Sequence, residues 1–493
     1  MIFEGETMNV IGRNEEIKEL NRLYESSQSE LVAVYGRRRV GKTFLINEVF
    51  KDKYSFKHTG LSPIEIKEYK EGKNNSKNIT ATNIQLEHFY HSLKLYGMKE
   101  NKIPKNWLDA FFMLEMLLQE KYDGSKQVVF IDELPWLDTQ KSLFITGFEA
   151  FWNSWANGRN IIVIICGSAI SWMTNELINN YGGLYGRVTY EIKLAPFKLN
   201  ECEEFLKNKN VNLSRYDITQ AYMALGGIPY YLNYLQPGFS LSKNIDSLFF
   251  SNTAKLKDEF LRLFTSAFDS PELTMKVVRA LCVKKIGLTR KEISDQYKIG
   301  NGGNLSKILN SLISSDFVLK YVPLGKSKKE PYYKLIDSFC LFYLRFIEGK
   351  NIFNKDVFQD NIESQQIVVW RGLAYENVAF NHINQIKEAL GIRSVSTIES
   401  TFYGYSENES AQIDMVIERK DNIVNMCEIK FYSDLYIGNK NSHLDLIRKN
   451  RVLSGFITKK QTIHNTLITT YGIKDNEYKF DYINVITLDD LFK

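Results

Sequence analysis

One stretch, LVAVYGRRRVGKTFLINEVF from Leu31 to Phe50, constrains this chain more than any other. Val32 and Val34 lie in an apolar run that ends at Gly36. Gly41, Lys42 and Thr43 follow, and then Phe44, Leu45, Ile46 and Val49 repeat at helical spacing. Strand, glycine-bounded loop and helix in that order, with the spacing G-x-x-x-x-G-K-[ST], predict a phosphate loop. Loop N–H groups and the positive end of the helix hold phosphates, the lysine reaches the β and γ oxygens, and the hydroxyl holds Mg²⁺. Glycine serves where the backbone turns and an anion approaches closely. Arg37, Arg38 and Arg39, which precede Val40, either touch phosphate or form a solvated basic loop.

A chain of 493 residues exceeds what one hydrophobic core serves, so about three domains are expected. With 44% hydrophobic and 25% charged residues it reads as a soluble globular protein. No apolar run has the length of a membrane span, and MIFEGETMNVIG lacks the pattern of a secretory signal, so we expect a cytoplasmic protein without membrane contact. Cys166, Cys202, Cys282, Cys340 and Cys427 are scattered, with no C-x-x-C pair, and read as reduced core thiols. A net charge of +5 permits contact with nucleic acid without arguing for it.

Ahead of the loop, Ile11-Gly12-Arg13 leads into a helix with Ile17, Leu20 and Leu23 on one face and Asn14 as the expected cap. Tyr54 to Leu61 alternates as a strand. Residues 62 to 121 read as polar and helical, with KEGKNNSKN as an exposed loop and Leu108, Phe111, Phe112, Leu114, Met116 and Leu117 crowding one helix. Gln127 to Ile131 is an apolar strand that delivers Asp132 and Glu133 at its carboxyl end. This is the Walker B arrangement, in which Asp132 holds the hydration shell of Mg²⁺ and Glu133 polarises the attacking water. Asn160 to Ser168 is a further buried strand. Ser168 either senses the γ-phosphate or caps the helix that follows. Arg187, in the Gly-rich turn from Gly182, is either an arginine finger acting on a neighbouring subunit of a homo-oligomer or a structural ion pair.

Ile11-Gly12-Arg13, Gly36 to Thr43, Phe130 to Leu134, Cys166-Gly167-Ser168, Leu184 to Arg187, Leu194-Ala195-Pro196-Phe197 and Gly226 to Leu232 together resemble the archaeal-type ATPases, a branch of the AAA/STAND class. The resemblance covers roughly the first half of the chain. It implies an ATP site formed by Ile11, Gly12, Arg13, Gly36, Arg37, Arg38, Arg39, Val40, Gly41, Lys42, Thr43, Phe44, Asp132 and Ser168. It also implies a helical lid that begins at the Gly-Gly-x-Pro turn, where Gly227 and Pro229 are conformational couplers or simply a helix break.

Residues Leu273 to Leu335 have a three-helix rhythm followed by a hairpin. Met275 to Cys282 is the first helix, Thr289 with Glu292 forms a capping box on the second, and Asn304 to Leu312 is the third. Phe317 to Tyr321 and Tyr332 to Leu335 flank a tip from Gly325 to Lys329. This is a winged-helix pattern, which the resembled family also carries. Asn301, Asn304, Ser306, Lys307 and Asn310 would face DNA, or the segment is a spacer.

From Trp370 the pattern changes again. Arg371 to Leu390 reads as a helix carrying Glu376, with Leu373, Val378, Ile383, Ile386 and Leu390 buried. Two β segments, Ser394 to Tyr405 and Ala411 to Glu418, precede a strand from Val424 to Lys430. Glu428 and Lys430 share one face of that strand, and Asp414 converges on them from its neighbour. Two carboxylates and a lysine so arranged suit Mg²⁺ and a reactive water; an ordinary hairpin salt bridge is the alternative. Asp414 and Glu428-x-Lys430 resemble the PD-(D/E)xK nuclease core, with Glu376 as the extra carboxylate. An amphipathic segment with Leu444, Ile447, Val452 and Leu453 and a strand from Leu467 to Ile473 fit the rest.

The expected fold is α/β: a P-loop NTPase core with a parallel sheet over 1–195, a helical lid over 196–265, a winged helix over 266–350 and a nuclease-like domain over 365–493. The expected activity is ATP hydrolysis by Lys42, Thr43, Asp132 and Glu133, with Arg187 assisting. Glu376, Asp414, Glu428 and Lys430 would cleave DNA with a metal at Asp414 and Glu428. The alternative is an ATP-dependent switch or transcription regulator that binds without cleaving.

Overall fold

The computed structural model describes residues 10–72, 79–179, 182–268, 270–300, 302–327, 329–349, 357–406 and 409–493. Asn301, Lys328, the start of the chain and residues 73–78 of the KEGKNNSKN loop lie outside them. The chain divides into two compact units, residues 1–195 with 265–269, and residues 196–264 with 270–493.

The first unit is built on five strands: β1 Glu30–Tyr35, β2 Tyr54–Thr59, β3 Gln127–Asp132, β4 Ile161–Gly167 and β5 Tyr190–Lys193. Their order is β2-β3-β4-β1-β5 and every pairing is parallel. β3 and β4 are buried along their whole length, and so is β1 up to Val34, because central parallel strands are covered on both faces. Their sequences accordingly read as continuous apolar runs rather than alternating ones. A core of aromatic rings packs on this sheet: Trp107 meets Phe144 edge to face at 4.8 Å, and Phe111 stacks on Phe151 at 5.4 Å.

Two local expectations change. Asn14 is the first residue of its helix, Asn14–Glu25, and not the cap; the cap position belongs to Arg13, which is left-handed at φ 59° after Gly12 at 63°. In the helix Trp107–Lys121, Phe111, Leu114 and Leu117 are buried, whereas Leu108, Phe112 and Met116 form an exposed row at four-residue spacing.

In the second unit, helices Leu199–Asn208 and Arg215–Leu225 lead to the Gly-Gly turn. Gly226 closes the latter helix at φ 74°. A Cβ on Gly227 would stand 2.3 Å from the Phe197 carbonyl, so no other residue fits there. Pro229 then opens the short helix Pro229–Leu232, a position where its missing N–H costs nothing. Helices Pro271–Leu281, Arg290–Tyr297 and Gly303–Ser314 follow, with Thr289 and Glu292 forming a capping box. Three short antiparallel strands, β6 Leu288–Thr289, β7 Val318–Tyr321 and β8 Tyr332–Leu335, align in the order β6-β8-β7.

The chain ends on a mixed sheet of β9 Thr397–Ser406, β10 Glu409–Arg419, β11 Ile423–Lys430, β12 Thr462–Thr469 and β13 Asn484–Ile486, in order β13-β12-β11-β10-β9. The β9-β10-β11 meander is antiparallel, and β12 and β13 add in parallel. The helix expected from Arg371 to Leu390 is two, Gln365–Asn381 and Ile383–Ala389. They break at His382, whose Nε2 accepts the Leu199 N–H while Nδ1 bonds the Val378 carbonyl. Val378 and Ile386 are buried there, but Leu373, Ile383 and Leu390 only partly. On the helix Lys440–Ser454, Leu446, Lys449, Val452 and Leu453 form the buried face, while Leu444 and Ile447 are exposed.

Candidate functional sites

In the first unit, β3, β4 and β1 are adjacent and parallel, so their carboxyl ends bring three loops together. Gly36 follows β1. A Cβ there would lie 2.2 Å from the Leu194 carbonyl, on the segment whose N–H bonds Tyr35, so the loop can leave the strand only through glycine. Gly41, at φ 95°, stands at the start of the helix Lys42–Val49, which has no side-chain cap and presents its N–H groups openly. The Lys42 ammonium folds back onto the carbonyls of Gly36 and Arg37 at 3.0 and 3.1 Å and is buried. Thr43 donates from its hydroxyl to Asp132 at 2.8 Å, spanning from the loop after β1 to the end of β3.

Glu133 takes a left-handed conformation at φ 48°, and Ser168 donates both its hydroxyl and its N–H to the Glu133 carboxylate. Burial raises the Glu133 carboxyl, against the opposing pull of Lys42. Ser168 spends its hydroxyl on this contact and caps no helix; the cap position of the short helix after it belongs to Ala169.

The remaining residues of the expected nucleotide site take varied positions. Arg13 is buried and anchors to the Ala195 carbonyl at 2.5 Å, and Ile11 and Gly12 are partly buried beside it in sequence. Arg37 and Val40 are buried, Arg39 is left-handed at φ 72°, and Arg38 lies 6.0 Å over the Trp136 ring. Phe44 is half exposed, unlike Leu45, Ile46 and Val49 on the same helix. Arg187 is exposed and makes no ion pair among the described residues. A hard-oxygen pair, Thr43 and Asp132, beside an uncapped helix start and a buried lysine fits a nucleotide triphosphate with Mg²⁺.

The second unit gathers Glu376, Asp414, Glu428 and Lys430, and adds lysines that sequence reasoning missed. Lys285 bonds Glu376 at 2.6 Å and Asp414 at 2.8 Å. The other Asp414 oxygen accepts the Ile429 N–H at 3.1 Å. Glu428 is held by Lys449 at 2.6 Å and Lys430 at 3.3 Å. Lys334 is buried 4.0 Å from Glu376. Burial and the neighbouring Asp414 push the Glu376 carboxyl up to about 7; for Asp414, burial is outweighed by Lys285 and Lys430, which hold it below the usual range. No group of three or more His, Cys, Asp or Glu side chains among the described residues could hold a metal. The carboxylates are engaged by ammonium groups, and as arranged this donor set does not fit a divalent ion. Lys285 lies far from the cluster in sequence and carried no signal; Lys449 is an inward lysine on an amphipathic helix, the one hint available.

Residues 11–235 match the model of an ATPase domain predominantly from Archaea. An uncharacterized protein of Methanocaldococcus jannaschii is 27% identical over 347 residues, 68% of this chain and 68% of the relative. An uncharacterized ATP-binding protein of the same organism is 26% identical over 321 residues, 56% of this chain and 87% of the relative. Among solved structures, the Walker-type ATPase of Pyrococcus abyssi aligns with a TM-score of 0.45 at 18% identity, over 70% of this chain and 99% of that one. No helix among the described residues is long and apolar enough to cross a membrane. Over residues 11–235, which include the phosphate loop and the Thr43–Asp132 contact, the chain is thus similar to the ATPase domain found predominantly in Archaea.

Proposed function

We propose that the chain hydrolyses ATP at the site formed by Lys42, Thr43, Asp132, Glu133 and Ser168. The observation that carries this is the 2.8 Å contact between Thr43 and Asp132, which joins the phosphate-loop hydroxyl to the carboxylate of the strand two places away. Mg²⁺ held there would neutralise charge on the β- and γ-phosphates. Lys42 exchanges its two loop carbonyls for phosphate oxygens, and the uncapped helix start offers N–H groups to the same anion. Glu133, held in place by Ser168, orients and deprotonates water. Arg187, exposed and unpaired among the described residues, supplies transition-state charge to a neighbouring copy. Phosphate release measured with and without Mg²⁺ tests the reading, and turnover that is indifferent to Mg²⁺ would oppose it.

We further propose that the three helices and hairpin of residues 266–350 form a winged helix that contacts DNA. A cleft of about 890 Å³ in this segment is lined by Arg290, Lys291, Lys320 and Lys329, and Asn304, Lys307 and Asn310 are exposed on the third helix. The segment 365–493 is read as a nuclease-like domain from the β9-β10-β11 meander and from Glu376, Asp414, Glu428 and Lys430 meeting at one place. Because lysines hold those carboxylates, the observed arrangement favours binding over cleavage. DNA retention in a mobility-shift assay without cleavage is the expected result.

A further inference from the structure

We propose that the Lys285 ammonium is a built-in counter-cation that closes the Glu376–Asp414 pair to divalent metal. The proposal rests on the nuclease-like reading of this cluster and adds to it a control element from outside the segment 365–493.

Charge balance is the first support. Glu376, Asp414 and Glu428 face Lys285, Lys334, Lys430 and Lys449, so every carboxylate of the cluster already meets an ammonium group. A divalent ion added here would bring further positive charge to carboxylates that ammonium groups already hold. Lys285 is also tethered, so it competes for the carboxylates at a high effective concentration. Glu376 supplies a second, independent sign. Its Oε1 bonds Lys285, while its Oε2 is buried without a hydrogen-bond partner among the described residues and stands 4.0 Å from the Lys334 ammonium. A buried carboxylate oxygen so placed is a free acceptor beside the one that Lys285 occupies.

The turn that carries Lys285 is clamped. The Gly287 N–H bonds the Lys284 carbonyl at 2.9 Å, and a Cβ on Gly287, at φ 85°, would lie 2.3 Å from the Tyr333 carbonyl of β8. Lys284 pairs with Glu292 at 2.7 Å. The Tyr321 hydroxyl donates to the Ile286 carbonyl at 2.5 Å and meets the Thr401 hydroxyl of β9 at 2.8 Å, so one phenol ties the turn to the C-terminal sheet. The Lys285 side chain is nevertheless one-third exposed. The Tyr321 contacts therefore help to hold the plug in place.

The test is calorimetric titration of Mn²⁺ into the nucleotide-free full chain. Lys285→Ala should gain a Mn²⁺ site at least about tenfold tighter than any in the parent, and Lys285→Ala combined with Asp414→Asn should lose it. Tyr321→Phe should give an intermediate gain. Lys285→Gln, which keeps the length and removes the charge, serves if the alanine variant does not fold. A folded Lys285→Ala or Lys285→Gln protein that binds Mn²⁺ no better than the parent overturns the proposal. DNA cleavage is assayed on the same samples. Gained Mn²⁺ binding without cleavage leaves the plug standing and removes the nuclease reading, so the two failures are distinct.

Discussion

The Ser168 hydroxyl lies 2.8 Å from the Glu133 carboxylate, and its backbone N–H adds a second bond to the same oxygen at 3.1 Å. These bonds hold the side chain that would orient water in the proposed reaction against the end of the neighbouring strand. The serine therefore sets where the carboxylate points, and its own position is fixed by the parallel pairing of β3 and β4. Replacing Ser168 by Ala leaves the N–H bond and removes the other. Hydrolysis should fall by roughly 10- to 100-fold through lost orientation, with nucleotide affinity little changed; a fluorescent ATP analogue and a phosphate-release assay separate the two.

Gly36 has no room for a side chain beside Leu194. Gly36→Ala should destabilise the first unit by about 1–3 kcal/mol as the loop shifts, and should weaken ATP binding because the Gly36 carbonyl that holds Lys42 moves. Thermal melting with and without ATP reads both effects. A variant that melts and binds like the parent would contradict the packing described.

His382 is fully buried in the second unit, where burial and the nearby Lys198 depress its pKa to about 3. The folded value lies below the unfolded one near 6.5, so the stabilising effect is present above about pH 6.5 and is lost as pH falls towards 3. Between those limits unfolding free energy should drop by up to about 1.4 kcal/mol per pH unit from this group. His382→Gln should flatten that dependence, and denaturant titrations at several pH values measure it.

Lys291 and Lys320 line the basic cleft of the second unit. If they meet phosphates, the double Lys→Ala variant should weaken DNA binding evenly across sequences and reduce the slope of log affinity against log salt by about 2. An unchanged slope would remove the cleft from any DNA contact.

The phosphate loop was legible because its chemistry demands Gly36, Gly41, Lys42 and Thr43 at fixed spacing, and the flanking apolar runs left one strand and one helix to carry them. Asp132 and Glu133 were legible for the same reason, at the end of an uninterrupted apolar strand. Local signals failed where distant contacts decide. Helical periodicity grouped Leu108, Phe112 and Met116 with Phe111, Leu114 and Leu117, but only the second set meets the aromatic core. Nothing in the spacing around His382 announced a helix break, because its cause is a bond to Leu199, far away in the sequence. Asp414, Glu428 and Lys430 were found by pattern, yet their lysine partners were not, since Lys285 reaches Asp414 from outside the pattern altogether. A carboxylate motif predicts convergence; it does not tell which cation meets it.

ATP hydrolysis by the phosphate loop of the first unit rests on the Lys42 ammonium. The most direct measurement is the steady-state rate of phosphate release at saturating ATP and Mg²⁺ for the parent and for Lys42→Ala, with circular dichroism to establish that both are folded. The parent should turn over many times, and the variant should lose at least about 100-fold. Turnover by Lys42→Ala at the parental rate would contradict it.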